Sequence, residues 1–110
     1  MEIIDYTTIG GKNVILEYLD GLPKKERAEG YRIRLALETD GTQALTGLDT
    51  RQLKGKLWEI KFYSNRVMYV LYDRENIYFL HACKKQKNKT EKQDIEKAVK
   101  RAKNSGLKID

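Results

Sequence analysis

The sequence predicts an α+β domain: an antiparallel sheet with an N-terminal helical hairpin on one face and a C-terminal helix, in the order β-α-α-β-β-β-α. Three observations lead there. From Leu57 to Lys85, apolar and polar residues alternate through three runs broken by Ser64-Asn65 and by Asp73 to Asn76, the pattern of an antiparallel meander. Between Lys12 and Thr39 the spacing turns helical and is interrupted once, at Asp20-Gly21. Beyond the lysines that close the meander, Thr90 and Gln93 form a T-x-x-Q capping box. It precedes Ile95, Ala98, Val99 and Ala102, an apolar stripe at i, i+3, i+4 and i+7. At 110 residues the chain makes one domain, 1–110, able to bury roughly two-thirds of its unfolded surface.

Taken in order, Glu2 to Tyr6 is short and β-favouring and is expected to join the meander as a further strand, beside a neighbour left open. A helix follows from Lys12, with Ile15, Leu19 and Leu22 on one side. Pro23 suits the first turn of a second helix, Lys24 to about Thr39, where its missing N–H does no harm; Asp40-Gly41 ends it. Ala28, Tyr31 and Leu35 are the expected buried stripe of that helix. Thr42 to Gly55 has little periodicity and reads as a surface loop delivering Lys54 and Lys56 to the rim of the sheet. The meander strands are expected at Leu57 to Tyr63, Arg66 to Tyr72 and Ile77 to Cys83.

A two-residue turn at Ser64-Asn65 would set Tyr63 opposite Arg66, Lys61 opposite Met68 and Glu59 opposite Val70. The next turn would set Tyr72 opposite Ile77, Val70 opposite Phe79, Met68 opposite His81 and Arg66 opposite Cys83. One face then carries Trp58, Ile60, Phe62, Val67, Tyr69, Leu71, Tyr78, Leu80 and Ala82, without charge, for the hairpin to cover. The other carries Glu59, Lys61, Tyr63, Arg66, Met68, Val70, Tyr72, Ile77, Phe79, His81 and Cys83, its polar groups gathered near Ser64-Asn65. The last helix, stopped by Ser105-Gly106, is expected over Val70, Tyr72, Ile77 and Phe79, or on a partner.

No apolar run of about 18 residues exists to span a membrane, and EIIDYTTIGGK lacks the layout of a signal peptide, so a cytoplasmic protein is expected. A single cysteine, Cys83, forbids an intramolecular disulfide, and with one histidine a zinc site is not expected. The net charge of +6 is concentrated: residues 84 to 103 hold nine Lys or Arg against three acidic residues, and the remainder is neutral. Clustered cations gain by displacing counterions from phosphates, so the segment reads as a polyanion-binding element or as a solvated helix face.

The runs LWEIKF, NRVMYVLYD and IYFLHACKKQKNKT, followed by DIEKAVKRAK, resemble the HigB branch of the RelE/ParE toxin superfamily. The shared pattern is roughly L-W-E-[LI]-R, R-[VI]-x-Y, L-L-H-x-F-x-K-K-x-x-K-T-P and E-I-x-x-A, covering residues 53 to 105. Lys61 stands where the family usually has Arg, Ala82-Cys83 where it has Gly-Phe, and Glu91 where proline commonly opens the last helix. Lys61 keeps the cation without the planar fork of a guanidinium. The resemblance implies the RelE-like fold. It also implies a type II toxin that cleaves mRNA on the translating ribosome without a metal or other cofactor. The implied partners are mRNA and the ribosome, and a HigA-like DNA-binding antitoxin through which alone the toxin reaches operator DNA.

Such cleavage needs a base for the ribose 2′-hydroxyl, cations for the charge growing on the phosphate, and a proton for the leaving 5′-oxygen. Arg66 matches the family's R-[VI]-x-Y arginine and is the candidate phosphate ligand. Lys84 and Lys85 match the K-K pair, and with Lys54, Lys56, Lys61 and Lys87 they are candidate phosphate or ribosomal-RNA contacts; each also reads as a solvent-facing lysine. His81 titrates near neutrality and is a candidate acid or base, or else a half-buried histidine bonded to a neighbour. Glu59 is the alternative base, or a salt-bridge partner. Tyr63 could stack on a base or pack at a strand end. Cys83 reads as a small buried apolar residue. Two other functions fit the same chain: a ParE-like, non-catalytic inhibitor of DNA gyrase, and a plain basic nucleic-acid-binding module.

Overall fold

The computed structural model describes residues 1–85 and 90–110. Five strands form one mixed sheet: β1 (Glu2–Asp5), β2 (Asp49–Lys54), β3 (Leu57–Phe62), β4 (Asn65–Leu71) and β5 (Asn76–Lys84), in the spatial order β1-β5-β4-β3-β2. β1 runs parallel to β5 and the other pairs are antiparallel. The helices are α1 (Val14–Asp20), α2 (Lys24–Asp40) and α3 (Thr90–Asn104), with a 3-10 turn at Gly41–Gly47. Among the described residues no helix is long and apolar enough to cross a membrane.

The expected loop from Thr42 to Gly55 therefore contains a strand, and the order gains one element. DTRQLK lacks an apolar alternation because β2 is an edge: Asp49, Arg51, Gln52 and Lys54 are exposed, and such charges discourage pairing with another chain. Gly55, at φ +55°, turns the chain into β3. Beside it the Lys56 N–H donates to the Ile109 carbonyl at 2.5 Å, tying the C-terminal tail to the sheet.

The β3–β4 turn lies at Tyr63-Ser64, not Ser64-Asn65, with Tyr63 in the left-handed region at φ 53°. Asn65 is drawn into the sheet because its buried amide has partners there: Tyr18 Oη donates to its Oδ1 at 2.7 Å and its Nδ2 donates to Glu26 Oε1 at 2.8 Å. The register moves accordingly, to Lys61 opposite Arg66 and Glu59 opposite Met68. Its parity is preserved, so the faces of β3 and β4 stand as expected.

In β5 the parity breaks. Arg66 faces Cys83 and Met68 faces His81 as expected, but the next pair is Tyr69 with Phe79, so Leu80 is bulged out of the ladder. Ile77 and Phe79 thereby turn to the hairpin side and Tyr78 and Leu80 to the α3 side, the reverse of the alternation read from sequence. Arg101 accompanies the irregularity, donating to the Leu80 carbonyl at 3.0 Å.

Each side of the sheet has its own core. Ile15, Leu19, Ile33 and Leu37 from α1 and α2 pack with Ile60, Phe62, Val67, Tyr69, Ile77 and Phe79. Ala98 and Ala102 of α3, with Leu107 and Ile109, pack with Leu57, Met68, Val70 and Leu80. α3 thus covers Val70 as expected but not Tyr72, which is exposed, nor Ile77 and Phe79, which the bulge turns away. The stripe of α2 also differs: Ala28, Tyr31 and Leu35 face outward, and Gly30, Ile33 and Leu37 face the core. Gly30 hides that face from a hydrophobic reading, because it is there for close approach; a Cβ would lie 2.7 Å from Leu19 Cδ2.

α1 starts at Val14, where the Asn13 side chain accepts from the Ile15 and Leu16 amides at 3.0 and 2.9 Å. α3 ends as expected at Ser105-Gly106. The Leu107 N–H returns to the Ala102 carbonyl and that of Gly106 to Lys103, a Schellman closure. The Thr90 side chain of the capping box lies outside the described residues.

Candidate active site

The α3 side of the sheet, towards the Tyr63-Ser64 turn, collects the polar groups. Glu59 from β3 is wholly buried there, directly across from Arg51 on β2 and diagonal to Arg66 on β4. Its Oε2 accepts from Arg51 Nε at 3.1 Å, and its Oε1 lies 3.5 Å from Arg66 Nη1. Glu91, in the first turn of α3, closes the group from above: its Oε1 meets Arg66 Nη1 at 3.0 Å and is also bonded by Arg51 Nη2. Two guanidiniums and two carboxylates balance in charge. Their hydrogen bonding does not balance, since Glu59 Oε1 and Arg66 Nε are buried without a hydrogen-bond partner among the described residues.

His81 stands on the same face, across from Met68, so Glu59, Met68 and His81 form one row over three strands. Its Nε2 is 2.8 Å from Asp94 Oδ1, and its Nδ1 is 3.2 Å from Arg101 Nη1. A guanidinium can only donate, so Nδ1 is the bare nitrogen and Nε2 carries the hydrogen that Asp94 accepts. Burial pushes the imidazole below its usual pKa, Asp94 opposes this, and Arg101 and Lys97 push it further down. Cys83 is half-buried beside the pair, and burial followed by Asp94 raises its thiol to about 12. It is an unreactive, packed thiol.

The ligand atoms of His81, Cys83 and Asp94 lie within 4.8 Å of one another. They do not suit a divalent cation as arranged. Metal on Nε2 would place the hydrogen on Nδ1 against the Arg101 donor, and the thiol holds its proton strongly.

The remaining candidates are dispersed. Lys61 is half-buried directly opposite Arg66. Tyr63 is exposed at the turn, and the exposed Lys85 holds the strand end against it through an N–H bond to the Ser64 carbonyl at 2.6 Å. Lys84 does not join Arg66: it pairs with Asn65 and reaches the hairpin side, donating to Glu26 Oε1 at 3.1 Å. Asn65 first and then Lys84 hold the Glu26 carboxyl below its ordinary range. Lys54 and Lys56 sit at the opposite end of the sheet beside the C-terminal tail, about 13 Å from Arg66 at strand rise. Lys87 lies outside the described residues.

Sequence reasoning missed Arg51, Asp94 and Arg101, and noted Glu91 only as a departure from the family pattern. Arg51 becomes visible only once β2 is recognised. The helix residues had a signal: Glu91, Asp94 and Arg101 are spaced by three and seven, on one flank of the apolar stripe.

The fold and these side chains define a small α+β domain whose mixed sheet holds a charged cluster beneath its last helix. Residues 17–103 match the model of the phage derived protein Gp49-like family (DUF891), and the chain belongs to that family, a RelE-like toxin family of toxin–antitoxin systems. No curated protein matches the chain.

Proposed function

We propose that the protein is the toxin of a type II toxin–antitoxin pair, of the HigB kind and RelE-like in fold, and that it cuts mRNA on the translating ribosome without a metal. The observation that carries this reading is the convergence of Glu59, Arg66 and His81, from three adjacent strands, on one face beneath Glu91 and Asp94. A buried arginine beside a His–Asp pair supplies two of the functions that transesterification of RNA needs, charge neutralisation and proton transfer.

In this reading Arg66 neutralises the non-bridging oxygens, and Glu59, wedged between Arg51 and Arg66, orients those cations. The His81–Asp94 pair accepts the 2′-hydroxyl proton at Nδ1, which Arg101 must first release to the RNA. The 2′-oxygen attacks phosphorus, the P–O5′ bond breaks, and Lys61 returns a proton to the leaving 5′-oxygen. The products are a 2′,3′-cyclic phosphate and a 5′-hydroxyl. Tyr63 offers a stacking face, Lys85 lines the approach of the RNA, and Lys54 and Lys56 meet ribosomal RNA elsewhere. A HigA-like antitoxin silences the protein and supplies its only route to operator DNA.

Single-turnover cleavage of mRNA on purified ribosomes tests the reading. Arg66→Ala is expected to slow it about 10²- to 10³-fold, as for loss of an oxyanion donor. Wild-type-like cleavage by Arg66→Ala removes Arg66 from the site. Growth arrest with intact mRNA and gyrase-linked DNA breaks would instead establish the ParE-like function.

A further inference from the structure

We infer that Arg51 and Arg66 build a subsite for one phosphodiester group, and that the Glu91 carboxylate is an internal anion standing in it. The inference rests on the ribonuclease reading only for the identity of the anion. Three observations carry it.

The first is convergence: Arg51 Nη2 and Arg66 Nη1 come from different strands, β2 and β4, yet meet on the same oxygen, Glu91 Oε1. Two guanidiniums aimed at one point are a ready oxyanion clamp. The second is charge. With Glu59 buried beneath them, the two arginines are left with one uncompensated positive charge, and Glu91 supplies the single negative charge that a phosphodiester would also supply. The third is an unfilled valence: Arg66 is 7 % exposed, and its Nε has no hydrogen-bond partner among the described residues. The Glu91 oxygen occupies Nη1 alone, so the guanidinium keeps donor capacity that the two non-bridging oxygens of a phosphodiester can use.

Glu91 is the component able to leave. Its side chain is 41 % exposed and sits in the first turn of α3, while Glu59 is sealed within the sheet. Arg51, 46 % exposed, can follow an incoming phosphate. An RNA backbone therefore enters by exchange, one anion for another, with the arginines already in place. Glu91 keeps the site neutral and folded when RNA is absent.

The test is binding of an uncleavable 2′-O-methyl RNA trinucleotide, measured by fluorescence anisotropy, with inorganic phosphate as competitor. Glu91→Gln is expected to tighten binding roughly five- to thirtyfold, the equivalent of removing one or two weak ion pairs. Adding Arg51→Ala to that variant should cancel the gain. Unchanged or weaker binding by Glu91→Gln, with wild-type circular dichroism, overturns the inference. As a measurement on the unaltered chain, the Glu91 carboxyl carbon resonance should move when trinucleotide or phosphate is added, and a resonance that stays still also overturns it. Because the probe cannot be cut, the outcomes separate. Tighter binding without cleaved mRNA in cells keeps the subsite and discards the ribonuclease reading; cleaved mRNA without tighter binding discards the subsite alone.

Discussion

Glu59 and His81 are both buried titratable residues, and each makes a stability prediction that does not depend on activity. Removing Glu59 leaves Arg66 in the sheet with only Glu91 to balance it. Glu59→Ala should therefore cost towards the lower end of about 3–5 kcal/mol, the range for breaking a buried ion pair, and the urea midpoint measures it. A loss below about 1 kcal/mol, typical of an exposed pair, would show that Glu59 is not the centre of the cluster. His81 is held neutral, with its pKa below the ordinary 6.5, so the unfolded chain takes up its proton more readily than the folded one. Its stability contribution is therefore intact above about pH 6.5 and is lost as pH falls below that value. Glu26, whose carboxyl is lowered from 4.5, adds a separate loss at more acid pH. A stability–pH profile of His81→Gln should lack the upper of the two declines; an unchanged profile would mean that the imidazole binds its proton equally well in the folded and unfolded chain.

At the scale of elements, the C-terminal tail is fastened through one glycine. A Cβ at Gly55 would lie 2.1 Å from the Ile109 carbonyl oxygen, and φ there is +55°. Gly55→Ala should cost of order 1–3 kcal/mol and free Leu107 and Ile109 from the α3 core. Hydrogen exchange of the Lys56 amide reads this directly: exchange should accelerate, and retained protection would contradict the role given to the tail. The elements with strong periodicity were legible from sequence, including the three meander strands, both N-terminal helices and the stripe of α3. What sequence could not show depended on partners distant in the chain. Asn65 left the turn for Tyr18 and Glu26, Leu80 left the ladder, and Gly30 rather than a large apolar residue marked the inner face of α2. β2 was invisible because an exposed edge strand needs no apolar alternation. The site was legible in part: Arg66, Glu59, Lys61 and His81 share a face as expected, whereas Lys84 emerges on the other side and Lys54 and Lys56 lie at the far end.

For the whole molecule, the excess positive charge on the last segment bears on the proposed antitoxin, for which an acidic binding surface is expected. Lys97 and Lys100 are exposed, and their reversal to Glu should slow association, as should added salt. Arg101 belongs to a different category, since it lies over the Tyr6 ring and bonds Leu80 and His81; its reversal would report on folding. Association indifferent to salt and to the two lysine reversals would place the antitoxin elsewhere, on the N-terminal hairpin. The central claim is that the cluster around Arg66 cuts mRNA by transesterification, and the chemistry of the RNA ends tests it most directly. After brief induction in cells, fragments ending in 2′,3′-cyclic phosphate should accumulate within translated reading frames for the wild type and be absent for a folded Arg66→Ala variant. Growth arrest by the wild type with no enrichment of such ends would contradict it.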